Sequence, residues 1–506
     1  RYQPCTRETW FRVIPDSCAT RACSVCDRYC VVGSLPAKSD AMLAICSVLQ
    51  RSLHPVHARA WQYSRRPAHV TNMLFQGHAP LICRSTYRRR ARFHFGASAE
   101  SPDVPPSEPD SSTKEPQRKS SGRFEARKYV AAEGWRSVVS GARAATDVFA
   151  RRLRGEVKEE KWSVAMETVV EVIGAVLAPA SNLVAVYQEG DAETRAEVEK
   201  ALSLINSQMN RACSAIPCMP GVSRENLQIG SMTGAWLTPK DGVLLSQLEG
   251  DEAGTVDKPT ILYFHGGAYI TCSVNTHIRL ISALAHTSEA SVLAVNYRLA
   301  PMVGFDEILE DAVEAFDFLL QRGVPAHRIV LAGDSAGGHL ALSLAAHLAE
   351  LRPKDVPGGV LALSPWIDPP MSLDSEEDTW RTNSDIDYLG FAIAASPAPI
   401  IFRTLDEPEA HPFENLNRLP ASVLAKMPPM LLQAGSNEVL LSEIREFASL
   451  VGSSKATLEV YQGMVHVFQI FLDVEPCALE GLKAAGSFVK RCTCSTNTEV
   501  DVQVPG

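Results

Sequence analysis

Residues 333–338 read Gly-Asp-Ser-Ala-Gly-Gly, and no other stretch restricts the fold of this chain as much. An apolar run, Ile329-Val330-Leu331-Ala332, comes just before it. An apolar helical pattern, Leu340-Ala341-Leu342-Ser343-Leu344, comes just after. Strand, tight turn, helix is the setting of a nucleophile elbow, which raises a serine hydroxyl at the tip of a strained turn. Gly333 and Gly337 flank Ser335 at i−2 and i+2, where small residues keep side chains off the hydroxyl and tolerate unusual backbone angles. The motif is short, and a glycine-rich turn with no chemistry reads the same way. A working serine also needs a base, an acid to orient it and donors for an oxyanion.

The surrounding pattern fits such a turn. Asn226–Ile229 and Gly234–Leu237 read as an antiparallel pair. Short apolar strands follow at 261–264, 292–295, 329–331, 360–363, 430–433 and 457–461. Helical stretches at 277–286, 306–321, 337–350, 440–451 and 476–491 fill the gaps. Buried strands alternating with helices predict an α/β fold, a mostly parallel sheet flanked by helices on both faces. Sites in such sheets lie at the carboxyl ends of the strands.

Charge divides the chain. Residues 1–99 hold 15 Lys+Arg against 4 Asp+Glu, leaving 34 against 54 for the remainder. An acidic main body gives no reason to expect nucleic-acid binding. Residues 1–122 are predicted to be a disordered basic extension that ends in a Ser/Pro-rich linker at 98–122. If translation starts at Met73, the Arg-rich, acid-free stretch that follows resembles an organelle transit peptide. Residues 123–215 carry helical patterns, including 163–178 and 191–209, and 216–491 carry the α/β pattern, followed by a flexible tail at 492–506. The apolar run Val169–Tyr187 is interrupted by Glu171, Gly174 and Pro179, and reads as a buried or cap helix and not as a membrane span. Seven of the 13 cysteines precede residue 84 and the rest are scattered. Reduced thiols and an intracellular, cytoplasmic setting are therefore expected, with Cys23-x-x-Cys26 a weak zinc signal.

Three strand-end loops offer what Ser335 needs. His265-Gly266-Gly267-Ala268-Tyr269 follows the strand at 261–264, where consecutive small residues let backbone N–H groups face a site. His265 reads as an orienting residue of that loop and not as the base. His466, in Gly463-Met464-Val465-His466, follows the last strand and is the candidate base. Glu438 follows the strand at 430–433 and is preferred as the acid that holds the His466 tautomer, with Glu443 as the alternative. The order Ser335, Glu438, His466 is that of an α/β-hydrolase.

These motifs, with Asn296-Tyr297-Arg298-Leu299-Ala300-Pro301 and Ser364-Pro365-Trp366-Ile367-Asp368, resemble the hormone-sensitive-lipase-like esterases, the α/β-hydrolase-3 group. The likeness covers roughly residues 160–490. It implies that Gly267, Ala268 and Ala336 give the oxyanion N–H groups, that Gly333, Asp334 and Gly337 support them, and that 123–215 form a cap over the substrate pocket. It implies carboxylic ester hydrolysis of a small hydrophobic substrate, without metal or organic cofactor. Relatives such as the gibberellin receptors have lost the catalytic histidine and bind ligand without turnover, whereas His466 is present here. Lactone, amide or carbamate hydrolysis would use the same groups. Two positions depart from the family pattern: Ala268 stands for a third glycine, and Glu438 for an aspartate.

Overall fold

The computed structural model describes residues 12–14, 125–177, 180–240, 242–248, 258–369, 378–390, 396–402 and 413–493. The apolar quartets become the middle of a sheet: β1 (Arg12–Ile14), β2 (Val222–Ile229), β3 (Met232–Pro239), β4 (Thr260–Phe264), β5 (Ser291–Asn296), β6 (Ile329–Asp334), β7 (Gly359–Leu363), β8 (Met430–Gly435) and β9 (Ala456–Tyr461). Their spatial order is β1-β9-β8-β7-β6-β4-β5-β3-β2. All neighbours from β5 to β1 pair in parallel, and β2 and β3 add the antiparallel edge. The remaining expectations for residues 1–122, including the transit-like stretch and the Cys23–Cys26 pair, lie outside the described residues.

Every residue of β4, β6, β7 and β8 is buried, and strand alternation sends their side chains to two cores. Leu262, Phe264 and Leu331 pack on α6 (Phe305–Gln321) and α7 (Ala336–Leu351). Ile261, Tyr263, Val330 and Ala332 pack on the opposite face, against α5 (Val274–Ser288) and α12 (Pro476–Thr493). Each buried Leu, Ile, Val or Phe among these stabilises the fold by about 1.5–3 kcal/mol. The expected strands and helices of residues 226–491 all occur, each within a few residues of its expected bounds.

Ahead of β2 come α1 (Ala126–Leu153), α2 (Val164–Leu177), α3 (Ala180–Glu189) and α4 (Ala192–Cys213). The fully buried Glu167 in the first turn of α2 accepts from Arg151 at 2.7 Å and Arg152 at 2.5 Å, in the last turn of α1. Residues 164–189 have the length and apolarity of a membrane span, and Ile173, Leu177 and Val184 among them line a pocket. Between β7 and β8 the sequence carries no periodic pattern. The structure places short helices there, α8 (Thr379–Thr382), α9 (Ala398–Ile401) and α10 (Ala421–Leu424), before α11 (Leu441–Val451).

Candidate active site

Ser335 sits between β6 and α7 at φ 53° and ψ −122°, a sparsely populated region. Such a residue costs about 1–3 kcal/mol and persists only where its surroundings fix it. Here Ser335 N donates to Leu363 O at 2.9 Å, while Ser335 O accepts from His339 N and Trp366 N at 3.0 and 3.1 Å. The flanking glycines are required by close backbone approach. A Cβ on Gly337 would lie 2.1 Å from Phe264 O, and one on Gly333 would lie 2.2 Å from Gly337 O. Ala336 opens α7, so its N–H has no acceptor within the helix and the positive end of the helix dipole faces the serine.

The loop after β4 turns through three successive positive φ values, 112° at Gly267, 51° at Ala268 and 60° at Tyr269. Asp334, beside the serine, organises it. Its Oδ1 accepts from Tyr263 OH at 2.6 Å and Gly266 N at 3.1 Å, and its Oδ2 lies 3.1 Å from His277 Nε2. Burial opposes both charges of the Asp334–His277 pair. Their attraction and hydrogen bonds outweigh it, lowering the carboxyl and raising the imidazole. His265 stacks on Tyr297 at 4.5 Å, and its carbonyl accepts from Tyr297 OH at 2.6 Å. Burial and then His277 push His265 down to about 4, so it is neutral. Below the loop, His339 Nε2 meets Glu414 O at 3.0 Å, which makes Nδ1 the acceptor for Tyr269 OH at 2.7 Å.

The loops after β8 and β9 touch through backbone. A Cβ on Gly435 would lie 2.1 Å from Met464 O. Glu438 Oε2 accepts from Gly435 N at 2.8 Å and from Ser364 Oγ at 2.7 Å. The same Ser364 Oγ accepts from Val467 N at 3.0 Å, so one hydroxyl links the acid to the residue after His466. Glu438 Oε1 and His466 Nδ1 are both buried without a hydrogen-bond partner. Burial pushes Glu438 up to about 8 and His466 down to about 3. Glu443 is occupied elsewhere: it accepts from Ile367 N at 2.7 Å and from Trp380 Nε1 at 3.2 Å.

Gly267, Ala268, Ser335 and His466 line one cavity of about 280 Å³. Its walls are apolar, with Ile173 and Leu177 from α2, Val184 from α3, and Trp366, Trp380 and Tyr388 from the stretch after β7. The Tyr388 ring stands edge-on to His466 at 5.9 Å. A larger open groove of about 620 Å³ runs along α6 and contains none of these groups. The structure thus brings Ser335, His466 and the loop after β4 to one cavity, with Glu438 tied through Ser364 to the backbone after His466 and Glu443 turned away. Asp387, Tyr388 and Trp380 come to the site without any sequence signal, because they lie in a turn-rich stretch of no period.

A strained nucleophile elbow, a glycine loop and a histidine loop at the carboxyl ends of β6, β4 and β9 define an α/β-hydrolase. A sequence profile of the alpha/beta hydrolase fold matches residues 261–470. An acetyl-hydrolase of Streptomyces hygroscopicus is 35% identical over 240 residues, 47% of this chain and 77% of that protein. The carboxylesterase/phospholipase LipF of Mycobacterium tuberculosis is 31% identical over 256 residues, 49% of this chain and 65% of its own length. Among solved structures, an esterase/lipase from an uncultured bacterium superposes with a TM-score of 0.50 at 25% identity, over 63% of this chain and 99% of that one. The chain belongs to the hormone-sensitive-lipase-like α/β-hydrolases, a family of ester hydrolases.

Proposed function

We propose that this chain hydrolyses uncharged carboxylic esters through a Ser335–His466–Glu438 acyl-enzyme mechanism. The observation that carries it is the shared apolar cavity onto which Ser335, His466 and the Gly267–Ala268 backbone all open. Neutral His466 takes the Ser335 proton as Oγ attacks the ester carbonyl. The tetrahedral oxyanion rests on the N–H groups of Gly267, Ala268 and Ala336. His466 then gives the proton to the leaving alkoxide, the C–O bond breaks, and an acyl-Ser335 remains. Water repeats the sequence, releasing the acid and restoring the serine. Glu438, in its ionised form, takes up the Nδ1 hydrogen bond of His466 as the two close toward the transition state and offsets the charge of the imidazolium.

Among the described residues, the one charged pair lining the cavity, Asp334 with His277, is already satisfied, so an apolar acyl group and alcohol fit better than an ionic substrate. The test is hydrolysis of p-nitrophenyl butyrate with labelling by a fluorophosphonate probe. Ser335→Ala is expected to remove the label and about 10⁴–10⁶-fold of kcat. Retention of the rate in that variant refutes the assignment.

A further inference from the structure

Residues 378–390 carry side chains that the mechanism above does not use. Asp387 N donates to Asn383 O at 2.9 Å, so the two residues stand one helical turn apart and present their side chains on one face. Both reach the same peptide group. Asn383 Nδ2 donates to Glu438 O at 2.9 Å, and Asp387 Oδ2 accepts from Val439 N at 2.9 Å. The peptide that follows the proposed triad acid is therefore gripped at its carbonyl and at its N–H. Asn383 Nδ2 also reaches Ser436 O at 3.1 Å, and Thr379 Oγ1 donates to Val439 O at 2.8 Å. Asp387 Oδ1 accepts from Leu389 N at 3.2 Å, and the His466 backbone N–H faces the same carboxylate. One side chain thus touches the backbone of both triad loops.

We infer that Asp387 is a positioning residue for ester hydrolysis, clamping the 438–439 peptide with Asn383 and so setting Glu438 against His466. The inference rests on the triad reading above. A carboxylate is an expensive choice for a mere acceptor at this place. Asp387 is 5% exposed and makes no ion pair among the described residues. Burial pushes it up to about 7, opposed by the backbone donors and by Lys158. Lys158 itself is paired with Glu171 at 3.0 Å. The titratable groups facing Asp387 are Glu438, Tyr388 and Lys158, and its charge raises Glu438. Removing that charge lowers the pH at which Glu438 ionises.

The test compares wild type, Asp387→Asn and Asp387→Ala in p-nitrophenyl butyrate kinetics from about pH 5 to 9, with fluorophosphonate labelling and thermal melts. Asp387→Asn keeps one carbonyl acceptor and is expected to lose about tenfold in kcat. Asp387→Ala is expected to lose about a hundredfold, with KM within about twofold in both. The acid limb of kcat/KM moves to lower pH in Asp387→Asn, a shift that loss of packing alone does not produce. An unchanged kcat, a loss confined to KM, or an unmoved acid limb in the folded Asn variant overturns the inference. Should Asp387→Ala fail to fold, Asp387→Asn decides alone. A wild type that neither hydrolyses nor takes the probe sinks the triad reading and this inference with it. An active wild type with an unaltered Asp387→Asn sinks the inference only.

Discussion

The two halves of the site are built by different means. The proposed oxyanion half, from the loops after β4 and β6, is saturated: Asp334 holds Tyr263, Gly266 and His277, while Tyr297 and Tyr269 tie down the rest of the loop. The acid–histidine half, from the loops after β8 and β9, leaves Glu438 Oε1 and His466 Nδ1 unpaired inside the protein. It also depends on segments from outside the sheet, Trp162 and residues 379–387 among them. Oxyanion donors gain by being fixed before the reaction starts. A histidine that must pick up a proton and then pass it on is better served by a partner whose hydrogen bond tightens on the way to the transition state.

That contrast breaks first at Glu438. Glu438→Gln is expected to cost about 10³–10⁴-fold in kcat, as an amide cannot stabilise the imidazolium. Its effect on stability runs the other way with pH. Burial holds a proton on folded Glu438 up to about 8, while an unfolded glutamate releases it near 4.5. The folded state binds the extra proton across that window, so wild-type stability falls as pH rises through it. Glutamine has no proton to lose. Melting curves should show Glu438→Gln gaining on wild type steadily from about pH 5 to pH 8. A pH-independent difference would mean that Glu438 is ionised in the folded enzyme.

Asp334→Asn probes the saturated half. It leaves His277 buried opposite an amide and is expected to destabilise by about 3–5 kcal/mol, read in denaturant melts. If the loss were under about 1 kcal/mol, the oxyanion half would not be the rigid one. Trp162→Phe makes the smallest change. It deletes the 2.6 Å bond to Gly463 O, for about 1–3 kcal/mol, and should slow turnover only severalfold. A larger loss in kcat than for Asp334→Asn would reverse the ranking of the two halves.

The saturated half was the more legible in sequence. Glycines with a fixed spacing report a backbone requirement directly, and Gly333, Gly337 and Gly267 occupy places that admit no Cβ. The apolar quartets marked the strands because buried parallel strands have no polar face to confuse the pattern. The other half was legible only in outline. Glu438 and Glu443 both follow β8, and what separates them is that α11 begins at Leu441, turning Glu443 toward the β7 loop. Residues 378–390 gave no signal, because their role lies in bonds to backbone more than fifty positions away. No periodicity encodes such contacts.

The bond from the Trp162 indole to the Gly463 carbonyl, with Asn437 Nδ2 to Glu159 Oε2 at 2.9 Å beside it, also bears on how the chain can be shortened. Both ties run from the α1–α2 connection to the very loops that carry Glu438 and His466. Trimming the chain back to the start of β2 would not simply uncover the pocket. It would also cut both ties to the loops of the proposed acid and base, so a shortened chain that keeps residues 159–162 should hold those loops better than one that starts at β2.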